Sequence, residues 1–290
     1  MRVLVTGAGG QLGRELLHTA PPGAEVRGLR RGELDITRPE QITSVVDALR
    51  PDVILNAAAY TAVDRAESEP GLAHAVNARG PAYLAAACGR LGARLIHVST
   101  DFVFGEGPCR PRRPDDPARP ESVYGRTKYA GEQGVLEADC DAAVVRASWL
   151  YARAGHNFVN TMLRLMRERG AVRVVADQFG APTWARGLAR VLWSLALEHR
   201  EVRGLLHYSD AGCASWYDLA VAVAEEGRAA GMLERAPRIQ PIGTEDYPAA
   251  ARRPRFSLLD CRETLRRLRL EPLHWREQLR RMLAEPGADG

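Results

Sequence analysis

The chain has 290 residues, 46% hydrophobic and 26% charged, enough for one large domain or two interlocked ones around a sizeable core. Its net charge of +4 comes from scattered arginines, without the long basic block or aromatic-interleaved stripe of a nucleic-acid binder; the densest clusters are RPRRP (110–114) and ARRPRF (251–256), and the first reads as solvated surface. Five widely spaced cysteines with no Cys-x-x-Cys argue against a disulfide framework or a zinc site, and no apolar run approaches the roughly 18 residues of a membrane span or the pattern of a signal peptide, so a cytoplasmic protein with no membrane partner is expected.

Short apolar runs alternate with amphipathic stretches along the first half. RVLVT (2–6), AEVRGL (24–29), DVILNAA (52–58), RLIHVST (94–100) and AAVVRAS (142–148) read as strands buried on both faces. Helical patterns cover about 11–20, 39–50, 71–91 and 123–137, with Pro39 suited to a first turn and Pro81 expected to kink or split its helix. This alternation implies an α/β fold, a Rossmann-type doubly wound parallel sheet. Beyond residue 150 the rhythm loosens: helix 157–169, strand 171–176, helix 184–198, strand 204–208, helix 215–230 and two short amphipathic helices in the tail. Residues 1–150, with returning elements at about 171–200, are expected to form the nucleotide-binding domain. Residues 151–170 and 201–285 form the smaller C-terminal substrate-binding lobe. The segments 105–122 and 236–257, rich in Pro and Arg, read as irregular.

VLVTGAGGQLG places Gly7, Gly10 and Gly13 directly after the first strand and at the start of a helix. Glycines there let the backbone turn tightly and approach a pyrophosphate, whose charge faces the helix N-terminus. The spacing is G-x-x-G-x-x-G, with Leu12 where the stricter fingerprint has its third glycine. The second strand ends in Leu29-Arg30-Arg31; two guanidiniums suit a 2′-phosphate and so NADPH, and Asp35 is a candidate for the adenine edge.

Of the 40 basic residues, 39 are arginine; Lys128 is the sole lysine. It stands four residues after Tyr124, and none of the other seven tyrosines has a basic residue at that spacing. On a helix the two side chains share one face. A phenol that protonates a carbonyl near neutral pH is helped by a nearby positive charge, which moves its pKa of about 10 downward. A compact ammonium can do this while holding two ribose hydroxyls, which a wide planar guanidinium cannot. Ser99 and Thr100 end the fourth strand, at the sheet edge where open α/β folds bind ligands, and a hydroxyl there can donate to a developing alkoxide.

TGxxGxxG (Thr6–Gly13), Ser99-Thr100 and Tyr124-x-x-x-Lys128 resemble the extended short-chain dehydrogenase/reductases. RPDVILNAAAYTAVDRAESEP (50–70), HVSTDFVF (97–104), VYGRTKYAGE (123–132), VRASWLY (145–151), NFVNTMLRL (157–165) and DQFGAPT (177–183) resemble, more narrowly, the dTDP-4-dehydrorhamnose reductase family, over about residues 2–283. The resemblance implies reduction of a dTDP-linked 4-keto sugar at C4 by NADPH, or alternatively NADH. It implies Tyr124 as proton donor, Lys128 on the nicotinamide ribose and Thr100 on the C4 oxygen. Gln11, Leu12, Ile36, Asn56, Ala57, Ala58, Tyr60 and Ser99 would line the cofactor's course; Asp101, Phe102, Trp149 and Asn157 would contact the sugar. Phe102 departs from the family, which usually has Tyr there. Some members bind Mg2+ at a subunit contact, and Glu15 falls in the matching stretch; a homodimer would be consistent with this. Three rivals stand beside this reading. A 4,6-dehydratase needs a second carboxylate after Thr-Asp, where Phe102 stands. An epimerase holds NAD tightly, against the Arg30-Arg31 pair. A regulatory subunit needs no intact Thr100, Tyr124 and Lys128.

Overall fold

A computed structural model of the chain describes residues 1–285. Strands β1 (Arg2–Thr6), β2 (Glu25–Leu29), β3 (Val53–Asn56), β4 (Arg94–Thr100) and β5 (Asp141–Ala147), with Gly204–Tyr208, form one parallel six-stranded sheet. Its spatial order is β2-β1-β3-β4-β5 and then Gly204–Tyr208. The chain runs outward from β1 to β2 and then returns to β3, so the order reverses beside β1 and a crevice opens at the carboxyl ends of β1 and β3. Helices Gln11–His18 and Ala185–Leu197 cover one face, Pro39–Leu49, Gly80–Leu91 and Val123–Leu136 the other. Both faces of β3 and β4 are therefore buried, which the apolar run of β3 anticipates; β4 buries Arg94 and His97 among its apolar residues.

The helix expected over 71–91 is broken, though ahead of Pro81 rather than at it. Pro70–His74 is α-helical, Ala75–Arg79 is a π turn, and Gly80–Leu91 resumes the α-helix with Pro81 in its first turn. There the missing N–H leaves no bond unmade.

The smaller lobe packs Phe158–Arg169, Trp216–Ala229 and Trp275–Ala284 around an apolar cluster of its own. Two strands lie elsewhere than expected. Ala171–Val175, read as returning to the nucleotide-binding half, pairs in parallel with Arg238–Ile242 and buries Val172 and Val174 in the lobe. Its alternating burial is that of a strand with one wet face. Arg238–Ile242 is itself a regular strand inside a segment read as irregular. Conversely Gly204–Tyr208, assigned to the lobe, extends the main sheet beside β5, and Arg262–Leu268 packs on it. Arg112, read as solvated surface, is buried: it donates to the Gly105 carbonyl at 2.9 Å with its guanidinium over the Phe104 ring.

Behind the Val123–Leu136 helix, Glu132 receives two hydrogen bonds from Arg146 of β5, at 2.9 and 2.7 Å, with side-chain exposures of 0% and 3%. A guanidinium buried without its counter-charge is strongly disfavoured. Glu132→Ala is expected to lower the free energy of unfolding by about 3–5 kcal/mol, read from urea denaturation of the native protein and the variant.

Candidate active site

The residues singled out around the crevice lie at or beyond the carboxyl ends of strands, or on the helices that follow. Gly7 leaves β1 at φ 68°, in the left-handed region, and a methyl group there would come within 2.6 Å of the Ala58 backbone nitrogen. The Gly10 N–H closes the turn on the Gly7 carbonyl at 2.9 Å. Gly10 then serves as N-cap of Gln11–His18 without a side-chain cap, so the helix's leading N–H groups remain open to an anion. Gly13 presses against the Gly7 carbonyl, too close for any side chain. Leu12 at the third-glycine position is buried in the sheet core. These features fit a pyrophosphate. Near the end of β4 the buried Ser99 hydroxyl has no partner within the protein.

Arg30 at the end of β2 is exposed, and its stem runs beside Gly9. With Arg14 it rims a hollow of about 720 Å³ that also includes Ala8, Leu17 and Gly28. Arg14 donates to the Gly9 carbonyl at 3.1 Å, and Glu33 on the same rim accepts from the Arg30 backbone N–H at 2.9 Å. Arg31 is less committed, at 3.9 Å from Asp35 and 70% exposed. The Asp35 carboxylate accepts from both the N–H and the hydroxyl of Thr37, at 3.0 and 2.8 Å, which fixes the turn after Ile36. Ile36 itself is buried, against Gly80. Ala57 and Ala58 continue from Asn56 at the crevice, and the Tyr60 backbone is held by Asn77 through two hydrogen bonds.

Ser122 caps the Val123–Leu136 helix by accepting from the Gly125 N–H at 3.1 Å. Tyr124 and Lys128 follow on its inner face, both buried. The Phe102 ring meets the Tyr124 ring edge-on at 5.5 Å. Burial pushes the Tyr124 phenol up to about 12; the Thr100 hydroxyl works against that rise and Asp101 adds to it. The expected lowering by the neighbouring amine is absent in the free protein: burial sets the direction, and Lys128 is not among the groups acting on the phenol. Lys128 donates to the Val98 carbonyl at 2.7 Å, and burial brings its amine down to about 8, against the pull of Glu132.

Thr100 accepts from the Phe102 N–H and donates to Asp101, both at 3.2 Å. Asp101, expected to meet substrate, is 1% exposed and accepts from the Ser257 hydroxyl at 2.5 Å. It clasps the C-terminal segment to β4 instead. Asn157 is likewise occupied: both amide protons go to Gln11 and Ala152 at 2.8 Å, while its oxygen caps Phe158–Arg169. It ties the glycine loop to the lobe. Trp149 sits in the left-handed region at φ 47° and lies flat on Trp216, with ring centres 3.5 Å apart. Phe158 flanks the pair.

Three participants were invisible to motif reading. His97 bridges Asn56 and Lys128, Ser257 holds Asp101, and Trp216 backs Trp149. His97 lies within the HVSTDFVF run, and a histidine at the centre of a strand buried on both faces is the signal that could have exposed it. Glu15, the residue considered for magnesium, accepts from Arg186 at 2.8 Å, and the same guanidinium pairs with Glu285. Among the described residues no cluster of three or more His, Cys, Asp or Glu side chains could hold a metal ion, and no helix is long and apolar enough to cross a membrane.

The family model described as the RmlD substrate binding domain matches residues 1–287. The chain is 43% identical over 265 residues to a dTDP-4-dehydrorhamnose reductase of Aggregatibacter actinomycetemcomitans, covering 89% of this chain and 90% of that protein. It is 46% identical over 264 residues to one of Streptomyces griseus, covering 89% and 85%. A crystal structure of dTDP-4-dehydrorhamnose reductase from Bacillus anthracis in complex with NADP superposes with a TM-score of 0.91 at 38% identity, over 98% of this chain and 99% of that one.

Burial raises the Asp101 carboxyl to about 6, opposed by Ser257 and Thr100, whereas an unfolded chain would hold it at about 3.9. Between those values the folded state keeps a proton that the unfolded state releases. The Asp101 contribution to stability is therefore complete below about pH 4 and is lost as pH rises through about 6. Relative to Asp101→Asn, the native protein is expected to lose on the order of 2 kcal/mol between pH 4 and pH 6.5, measured by denaturant unfolding at a series of pH values.

Proposed function

The chain belongs to the dTDP-4-dehydrorhamnose reductase family, and from that membership we propose that it reduces the C4 ketone of dTDP-4-dehydro-L-rhamnose to dTDP-L-rhamnose with NADPH. The observation that carries the reading is the burial of the chain's one lysine, 2% exposed, a single helical turn after Tyr124 and behind the crevice. An ammonium is not buried without cause, since desolvation works against its charge. Here it has a backbone carbonyl at 2.7 Å and two further N–H directions for the hydroxyls of a ribose.

When bound, the reduced nicotinamide supplies a hydride to the ketone carbon. Gly7, Gly10, Gly13 and the open end of the Gln11–His18 helix would hold the pyrophosphate, and Arg30 with Arg14 the 2′-phosphate. Lys128 would hold the nicotinamide ribose. The Tyr124 phenol donates its proton to the oxygen at C4. Its raised pKa keeps that proton in place at neutral pH until the oxygen becomes basic enough to take it. The Thr100 hydroxyl, at the tip of β4, would turn its one proton from Asp101 to the same oxygen and limit the charge that builds there. The stacked Trp149 and Trp216 rings and the edge of Phe102 supply an apolar wall that excludes water from the sugar. Phe102 places no hydroxyl on that wall, which favours a close relative of this sugar as the second reading. The partner is then a dTDP-linked sugar, and a homodimer is the assembly we favour.

Tyr124→Phe is expected to lower NADPH oxidation with dTDP-4-dehydro-L-rhamnose by about 10²–10⁴-fold, with NADP+ affinity unchanged by fluorescence titration; turnover above about a tenth of native would remove Tyr124 as the acid. Supplying the C3 and C5 epimers of the sugar in turn separates the two readings, since the true substrate gives the highest kcat/KM. Arg30→Ala is expected to raise the KM for NADPH by roughly 10- to 100-fold, the worth of one charge-assisted hydrogen bond, and to leave that for NADH in place.

A further inference from the structure

Behind the catalytic helix a buried polar chain runs across three strands. It begins at Thr6 of β1, whose hydroxyl donates to Asn56 Oδ1 at 2.6 Å. The Ala58 backbone N–H reaches the same atom at 3.2 Å. A backbone N–H can only donate, so that atom is the carbonyl oxygen and the amide cannot be turned round. Asn56 Nδ2 then stands 2.9 Å from His97 Nδ1. An amide N–H is also only a donor, so Nδ1 is the acceptor and the ring carries its proton on Nε2. Nε2 lies 3.5 Å from Lys128 Nζ. A charged amine there meets the ring N–H donor to donor, whereas a neutral amine accepts from it.

We propose that His97 is a positioning residue which, locked by Asn56 in its Nε2–H form, keeps the Lys128 amine easily deprotonated and so sets the alkaline limit of the reaction. Asn56, Thr6 and Ala58 act through it. The other groups around the amine do not supply this effect. Glu132, one turn along the same helix, favours the charged form, and Arg146 of β5 holds it in a two-pronged pair that blunts that pull. The Val98 carbonyl accepts from the amine and also favours its charge. Tyr124 and Asp101 lie toward the phenol end. The π turn Ala75–Arg79 brings only the neutral Asn77 against Thr127 of this helix. Burial acts on the amine in the same direction as His97, and it holds the His97 ring neutral, well below its ordinary value, with Lys128 adding to the shift.

The kinetic consequence rests on the reductase reading; the titration itself does not. Because the chain has one lysine, protein grown with ζ-15N lysine gives a single side-chain amine resonance. That resonance is expected to titrate with a midpoint near pH 8 in the native protein. In His97→Asn, which keeps an acceptor for Asn56 and removes Nε2, the midpoint is expected to rise by about one pH unit, and the alkaline limb of kcat/KM for the ketosugar to move with it. A native midpoint near 10.5, or the same midpoint in both proteins, overturns the proposal. Should the variant not fold, long-range 15N spectra of the native histidine rings decide: a proton on His97 Nε2 supports the proposal, and one on Nδ1 or on both nitrogens overturns it. A native protein whose amine titrates near 8 but which turns over no dTDP-ketosugar overturns the reductase reading and leaves the His97–Lys128 coupling standing.

Discussion

A nearly buried amine organises this molecule. Lys128 is 2% exposed behind the crevice, and three elements meet around it. β4 offers the Val98 carbonyl, the helix carries the amine one turn past the phenol, and β5 supplies the guanidinium that pins Glu132 behind. The helix also sits close to the turn after β4 and to the π turn Ala75–Arg79, because Gly125 and Gly131 present no side chain at those contacts. A methyl on Gly125 would strike the Phe102 carbonyl, and one on Gly131 the carbonyl of Asn77. The site is thus built from the packing of one helix on two strands, and its chemistry follows from how completely that packing excludes water.

The fold was largely readable from the order of residues, for a physical reason. Strands buried on both faces need mostly apolar runs, and β1, β3, β4 and β5 supply them within a residue or two of their observed ends. The glycine positions were legible because backbone crowding at Gly7 and Gly13 admits nothing larger. Edges were harder. Ala171–Val175 and Gly204–Tyr208 look alike as short apolar runs, and which sheet each joins is decided by long-range partners that no local window contains. The tyrosine and lysine were legible through spacing and through the scarcity of lysine. The state of the phenol was not, because a pKa depends on burial and on the groups that close over it, here Thr100 and Asp101 from the end of β4.

The lobe is not simply apposed to the sheet. Asn157 joins it to the glycine loop, Ser257 joins it to the tip of β4, and Arg253 joins it to Asp64 at 2.6 Å. Each tie ends on or beside a residue of the crevice, so the position of the lobe and the shape of the crevice are one geometric quantity. Asp101 and Asn157, expected to contact the sugar, both make hydrogen bonds that carry these ties. At the junction of two bodies, a buried amide or carboxyl does more by fixing their distance than by touching a ligand.

A solitary lysine folded inward also gives the chain a built-in gauge of its own breathing. A lysine-specific endoprotease has one peptide bond to cut in these residues, the one after position 128, and that bond lies in the middle of a helix packed on both sides. The intact fold shields it, and scission requires the helix to lift from the sheet. The pace at which full-length chain disappears under such a protease therefore reports how often the catalytic helix opens, locally or with the whole fold, without a label and without a chemical denaturant.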